Sequence, residues 1–148
     1  MFAELKRQLN DLQRSEIKRI VMGIVKDSEE IITAYNKQQL QDTGKNSFGV
    51  KLSDIGGEYS PFTIEIRKKK GKQTKHVDLF DKGNFQGDFY IDIKSDSAVI
   101  DSKDSKRDEL VERWGIELFG VNNENKQDFI DQILLPNLLI KLNLLIKR

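Results

Sequence analysis

The sequence predicts an α+β domain with a long N-terminal helix, a small and mainly antiparallel β-sheet, and a kinked C-terminal helix. Three observations support this. Apolar residues recur every three or four positions at both ends of the chain, two alternating segments lie close together in the middle, and a proline interrupts the last apolar stretch. The 148 residues are enough for one hydrophobic core. We expect a single domain over 1–148, with a helical arm in 1–41, a loop, short helix and β-sheet in 42–103, and a helical part in 104–148.

Residues 2–40 form the clearest predicted element. Their apolar side chains fall on one stripe of a helix, and Lys, Arg, Glu and Gln occupy the remaining positions. Ser28 interrupts this stripe and Gly23 lies inside it, so the helix is expected to bend or to divide in two. At about 1.5 Å per residue, a helix of this length exceeds what a small core can cover. The stripe is therefore expected either to fold back into the core or to contact another subunit.

The middle of the chain is predicted to hold a loop, a helix start and a hairpin. Residues 42–59 are rich in Gly, Asp, Asn and Ser, which is typical of a loop. Ser60 followed by Pro61 favours a helix start, although the alternation in 62–66 would also suit a strand. We adopt the short helix. The alternation in 85–94, followed by an apolar segment at 98–101, predicts an antiparallel hairpin with one solvated face.

The C-terminal part is predicted to be helical. Asp104 and Ser105 can cap a helix that ends at Gly115. A last helix begins near Asn125, and Pro136 must kink or divide it, because proline lacks an N–H and clashes with the preceding turn. Apolar residues cover more than one face of this helix, which favours an oligomer that buries it on two sides. Polar residues interrupt 129–146 too often for a membrane span, so we expect a soluble protein without membrane contact.

Composition excludes several kinds of site. The net charge of +1 predicts no overall attraction to nucleic acid, so such a role must be local. The chain has no cysteine, which excludes disulfides and thiolate metal sites. Its glycines form neither a P-loop nor a dinucleotide-binding fingerprint. We therefore predict no cofactor. The single histidine, His76, offers no metal pair and is interpreted as a surface residue.

The segment 67–75 is strongly basic and contains no acid. Its six cations are Arg67, Lys68, Lys69, Lys70, Lys72 and Lys75. A solvated loop is the more frequent explanation of such a run. The functional hypothesis is that these residues contact DNA phosphates or a neighbouring subunit, because Lys and Arg attract the nucleic-acid backbone without reading its sequence.

One enzymatic hypothesis concerns the predicted hairpin. Asp92 and Lys94 match the acid-x-Lys half of a metal-dependent nuclease core, and Asp78 or Asp81 could supply the upstream carboxylate. An acid-x-Lys pattern arises by chance in any charged strand, and a hairpin has the wrong topology for the mixed sheet of such nucleases. The residues therefore favour a protein that is not an enzyme.

The order of the motifs resembles that of the bacteriophage virion-morphogenesis and tail-completion proteins, a family of small neck or tail-terminating subunits in tailed phages. The resemblance spans nearly the whole chain. It depends on the loop glycines Gly44 and Gly49 and on the segments 59–64, 68–71, 79–85 and 117–125. Lys82 stands where the family usually has Thr, and 112–115 stands where it usually has a His-x-x-Gly stretch.

The resemblance implies a role in assembly and brings no catalytic residues. Subunits of that family form a ring, usually sixfold, at the head-tail junction or the top of the tail tube. It implies a homo-oligomeric hexamer or dodecamer that contacts portal, neck or tail proteins, forms in the host cytoplasm and resides in the virion. It also suggests that the basic segment faces genomic DNA or a neighbouring subunit. The alternative is an adaptor or scaffold of cellular origin that binds partners through the same helices.

Overall fold

The computed structural model, which describes residues 2–146, has helices at both ends and a β-hairpin between them. Its α-helices are α1 (Phe2–Asp27), α2 (Glu29–Thr43), α3 (Leu52–Gly56), α4 (Pro61–Lys69), α5 (Asn84–Gly87), α6 (Arg107–Trp114), α7 (Asn123–Phe129) and α8 (Leu135–Ile146). Strands β1 (Phe89–Ile93) and β2 (Ala98–Ser102) pair in an antiparallel sheet. A 3-10 turn covers Ile116–Leu118, and a π-helical turn covers Ile130–Leu134. The predicted α+β fold is confirmed.

The long N-terminal helical segment divides at Ser28. The Ser28 hydroxyl donates a hydrogen bond to the carbonyl of Ile24 (2.7 Å), four residues earlier. Such back-bonding competes with the regular helical ladder and bends helices. Ile20 and Ile24 are buried, whereas between residues 2 and 19 every side chain is exposed except the half-buried Glu16. The first two thirds of α1 therefore extend beyond the core.

The core lies around the hairpin and the 3-10 turn. The rings of Phe85, Phe89 and Phe119 contact one another, with centroids 5.1, 5.4 and 5.8 Å apart in edge-to-face and tilted arrangements. Leu40, on α2, is fully buried in the same cluster. Trp114, the only tryptophan of the chain, closes the cluster at the end of α6 and is 4% exposed.

Two buried amide side chains of α2 hold the turn that precedes α7. Asn36 is fully buried. Its Nδ2 donates to the carbonyl of Leu118 (3.0 Å), and its Oδ1 accepts from the N–H of Gly120 (2.8 Å). Gln39 adds a third bond, because its Oε1 accepts from the N–H of Asn122 (2.9 Å). These bonds satisfy backbone groups that would otherwise be buried without partners.

The predicted start of α4 is confirmed. The Ser60 hydroxyl accepts a hydrogen bond from the N–H of Thr63 (3.1 Å), and Pro61 occupies the first helical position. The predicted strand, in contrast, begins four residues later than its alternation suggested. Residues Asn84–Gly87 form α5 instead, and both Phe85 and Gln86 are buried. Consecutive residues of a strand point to opposite faces, so burial of two neighbours suits a helical turn better than a half-solvated strand.

Pro136 interrupts the C-terminal helical region at the predicted place. The N–H of Leu135 bonds to the carbonyl of Ile130, five residues earlier, and so closes the π-helical turn just before the proline. A wider turn accommodates the proline, which has no N–H to donate and crowds the preceding turn of an α-helix. The helical region begins at Asn123, two residues before the predicted start, because Asn122 caps it by accepting the N–H of Asn125 (2.8 Å).

Candidate interaction surfaces

Arg67 lies in the interior, unlike the lysines that follow it. Its side chain is 7% exposed. The guanidinium donates to the carbonyls of Gln73 (3.0 Å) and Phe80 (2.9 Å) and to the carboxylate of Asp78 (2.8 Å). It also lies 4.7 Å from the ring centroid of Tyr59. The structure therefore removes Arg67 from the predicted contact surface. Its role is to hold segment 73–80 against α4.

Asp78 is the centre of this buried network. Its Oδ2 accepts from Arg67 Nη2 and from Gln73 Nε2 (2.7 Å), and its Oδ1 accepts from the Tyr59 hydroxyl (3.1 Å) and the N–H of Phe80 (2.9 Å). Four hydrogen bonds to the charged carboxylate offset part of the cost of burying it. This carboxylate is a structural group that is already fully engaged.

Tyr59 connects the network to an unusual backbone position. Its hydroxyl accepts the N–H groups of Asp78 and Leu79, each at 3.2 Å. Burial is the main cause that raises the pKa of Tyr59 above its ordinary value, and the negative charge of Asp78 is the second. Leu79 has φ +57°, a left-handed conformation that no other non-glycine residue between 2 and 146 adopts. The bond from the Leu79 N–H therefore helps to hold this residue in an unfavourable conformation.

The five lysines of the basic segment divide into two groups. Lys68, Lys69 and Lys75 are exposed and take part in no ion pair within residues 2–146. Lys70 and Lys72 both donate to Oδ1 of Asp81, at 3.0 and 3.1 Å. The hydrogen bond from Lys70, and next the one from Lys72, lower the pKa of Asp81 to about 2. The segment therefore presents three free cations, and the other two are partly neutralised.

The helical period could have identified the buried arginine. Thr63, Ile64 and Arg67 stand three and four positions apart, so they share one face of α4, and all three are buried or half-buried. Arg67 belongs to this buried face of α4, although in sequence it is the first residue of the charged run 67–75. The partners of Arg67 belong to an irregular segment, 73–80, and no periodicity could have predicted them.

The largest set of exposed apolar side chains lies on α1 and α8, which contact each other. We call these ten residues the terminal-helix surface: Phe2, Leu5, Leu9, Leu12 and Ile17 on α1, and Leu135, Leu139, Ile140, Leu144 and Leu145 on α8. Each is between 40% and 84% exposed. Eight of the twelve residues of α8 are Leu or Ile, and its one charged residue is Lys141. A helix that is apolar on all sides is normally buried.

The area of the terminal-helix surface can be estimated from the exposed fractions. Burying a large aliphatic or aromatic side chain contributes about 1.5–3 kcal/mol at about 25 cal/mol per Å², which corresponds to roughly 60–120 Å² per side chain. The ten residues then present roughly 300–700 Å² of apolar surface. A standard protein interface buries about 800 Å² per partner, somewhat more than half of it apolar. The terminal-helix surface therefore matches the apolar area that one partner contributes to a standard interface.

The carboxylates of the nuclease hypothesis have separate partners. Asp92, on β1, pairs with Lys94 just beyond the end of that strand (2.6 Å). Asp78 is bound to a buried guanidinium, and Asp81 is bound to two lysines. Between residues 2 and 146, no group of three or more His, Asp or Glu side chains is placed to hold a metal ion. His76 is half-buried, and its Nε2 lies 2.6 Å from the carbonyl of Gln41. It is therefore more buried than the surface residue that the sequence predicted.

None of the helices within 2–146 combines the length and the apolar character that a bilayer crossing requires. Comparisons with protein families, with curated proteins and with solved structures find no match to this chain. The resemblance to the phage family therefore stays a prediction from the motifs.

Proposed function

We propose that this chain is a structural subunit that forms a homo-oligomeric ring through its terminal-helix surface, as a tail-completion or head-tail connector subunit of a tailed bacteriophage. The observation that carries the proposal is the exposure of ten large apolar side chains on two adjacent helices. Monomeric proteins rarely leave a contiguous apolar patch of more than a few hundred Å² in contact with water. The order of motifs along the chain supports the viral form of this role.

The two helices offer the kind of surface that a ring requires. A closed ring needs head-to-tail contacts, in which two different patches of the subunit meet. On α8, Leu138 and Leu142 are half-buried, whereas Leu139, Ile140 and Leu144 are exposed. One protomer therefore covers only part of this helix. In a head-to-tail contact, the five exposed residues of α1 on one subunit would cover the five exposed residues of α8 on its neighbour, so each contact buries five apolar side chains from either side.

The basic segment has a secondary role in this proposal. Lys68 and Lys69, in the last turn of α4, and Lys75, in the loop that follows, have no ion-pair partner in the described part of the chain. Repeated around a ring, these lysines would concentrate positive charge beside DNA or beside acidic neighbours. Contact with DNA phosphates would be independent of base sequence and sensitive to salt.

The first experiment is the mass in solution, measured by light scattering over a concentration series. We expect a species several times heavier than the 17.1 kDa chain, with a closed ring visible by electron microscopy. Leu9→Glu and Leu139→Glu should each shift the protein toward monomer, because each places a charge in an apolar interface. Phe62→Glu is the matched control, since Phe62 is 72% exposed on α4, away from this surface.

Two outcomes would contradict the proposal. A wild-type protein that stays monomeric at every concentration would favour the adaptor hypothesis, in which α1 and α8 bind a different protein. An oligomer that Phe62→Glu disrupts as strongly as Leu9→Glu would place the interface elsewhere.

The basic segment is tested by titrating DNA at several salt concentrations. Lys68→Glu with Lys69→Glu should weaken binding and reduce the slope of log affinity against log salt by about one for each phosphate that the protein no longer neutralises. The control is Lys45→Glu with Lys51→Glu, which changes the charge equally at two other exposed lysines. Equal effects of the two pairs would show that the basic segment has no special position relative to DNA.

A further inference from the structure

Strand β2 forms an open edge of the two-stranded sheet. The N–H of Ile91, on β1, donates to the carboxylate of Glu29 (2.9 Å), so the main-chain groups of Ile91 point toward α2 and away from β2. Ile91 lies opposite Ile100 in the antiparallel register. Opposed residues alternate between pairs that exchange two hydrogen bonds and pairs that exchange none. The N–H and C=O of Ile100 therefore point away from β1, and by the same alternation so do those of Ala98.

These outward groups are left without a protein partner. Within residues 2–146, the main-chain N–H and C=O groups of Ala98 and Ile100 form no hydrogen bond outside the ladder. The bond from the N–H of Lys94 to the carbonyl of Ser97 (2.7 Å) follows the same alternation and supports this register. The outer edge of β1 is covered by α2, whereas β2 offers unpaired donors and acceptors to an added strand.

An apolar groove lies beside this edge. Its volume is about 420 Å³. The walls come from α1, α2 and the loop after it, from the hairpin, from the turn before α7 and from α7. They include Met22, Tyr35, Val121 and Phe129. Lys126 is the only charged side chain in the walls, and it has no ion-pair partner in the described part of the chain. The groove can therefore receive apolar side chains and one negative charge.

We propose that this groove binds an extended segment of a partner protein, which adds to β2 as a third strand. Its main chain pairs with Ala98 and Ile100. Its alternate side chains, which are apolar, enter the groove because side chains of a strand point to one face at every second position. An acidic residue near one end pairs with Lys126. This site is separate from the terminal-helix surface and stands independently of ring assembly.

Charge favours a different protein over a second copy of this chain. If two copies paired β2 with β2, each groove would receive the same residues, and Lys126 would need an acid from the other β2. The only acid of β2 is Asp101, which is already paired with Arg107 (2.8 Å). A partner segment with its own free acid satisfies the groove better.

The test is amide hydrogen exchange followed by NMR, with a synthetic peptide in which valine and threonine alternate after a terminal glutamate. The peptide should slow exchange at the N–H groups of Ala98 and Ile100 by about tenfold or more, because these groups gain acceptors. The control peptide has the same side chains with alternate backbone nitrogens methylated, and it should give no protection. If neither peptide protects these amides, or both do so equally, the proposal is wrong.

A variant pair tests the same contact from the protein. Ala98→Pro removes an outward N–H without removing a bond of the β1–β2 ladder, and proline is tolerated at the first position of an edge strand. It should abolish peptide binding, whereas Ala98→Thr should retain it. Fluorescence of Trp114 reports whether each variant is folded. If Ala98→Pro is not folded, the comparison of the two peptides on wild-type protein decides whether a strand adds to β2. Protection of both amides in concentrated protein without peptide would identify a second copy as the occupant and overturn the proposal.

Discussion

Replacing Asp78 by Asn should be among the most destabilising single changes in this chain. Asn has nearly the same shape, but it is neutral and presents an NH₂ group to sites where Asp78 now accepts four hydrogen bonds. The guanidinium of Arg67 would remain 7% exposed and without its counter-charge. Breaking one side of a buried ion pair typically costs about 3–5 kcal/mol. We expect a decrease in this range in the free energy of unfolding.

The assay is urea unfolding at fixed protein concentration, followed by the fluorescence of Trp114. This residue is the only tryptophan and is 4% exposed in the folded core, so its emission should shift on unfolding. With a slope of about 1–3 kcal/mol per molar urea, the expected decrease lowers the midpoint by roughly 1–5 M. The slope itself should not change if only stability is affected.

Asp81→Asn is the matched control, because it removes a carboxylate three residues away that also binds cations. The side chain of Asp81 is 52% exposed, and exposed ion pairs contribute about 0–1 kcal/mol. If Asp78→Asn costs no more than Asp81→Asn, the burial argument is refuted. If Asp78→Asn does not fold, Tyr59→Phe gives a milder test. It removes the hydroxyl that bonds to Asp78 and Leu79, with an expected decrease in stability of about 1–3 kcal/mol.

Three further predictions concern other parts of the fold. Gly44→Ala should destabilise the protein by more than about 1 kcal/mol, because φ at Gly44 is +63° and an added Cβ would lie 2.8 Å from the carbonyl of Val77. In the same urea assay, Gly23→Ala should stabilise it by about 0.5–1 kcal/mol, because Gly23 lies inside α1 with open space around it. Asn36→Asp should cost about 1–3 kcal/mol in thermal unfolding, because it replaces the donor to a buried carbonyl by an acceptor. The pKa of Asp81 is lower in the folded protein, so its contribution to folding stability is present above pH about 4 and is lost as the pH falls toward about 2. Asp81→Asn should therefore flatten the plot of unfolding free energy against pH in that window, and an unchanged plot would contradict this.

Local chemistry in the sequence predicted several element boundaries. Ser60 and Pro61 start a helix through a side-chain bond and a fixed φ, and Gly115 ends one at φ +89°. The Ser28 hydroxyl and the Pro136 ring each disturb the helical backbone within one turn, so their positions sufficed to place a break. In each case the cause and its effect lie within a few residues of each other.

Tertiary contacts decided the features that the sequence did not predict. The helical turn at Phe85 depends on aromatic neighbours from β1 and from the turn at Phe119, more than thirty residues away. The covered edge of the sheet is β1, where Glu29 binds the N–H of Ile91, a residue 62 positions later in the chain. Periodicity predicts which face of a strand is apolar, but it cannot show which edge another element covers.

Arg67 shows why the basic segment has to be divided before a function is assigned to it. A planar guanidinium donates in several directions at once, and here it reaches two carbonyls and a carboxylate. A lysine at the same position could not satisfy all three acceptors, because its donors share one nitrogen. The arginine therefore fixes the path of segment 73–80, and with it the place of Asp81, which binds Lys70 and Lys72. The exposed lysines can then act as surface charges on a segment whose conformation is set by the one cation that is not exposed.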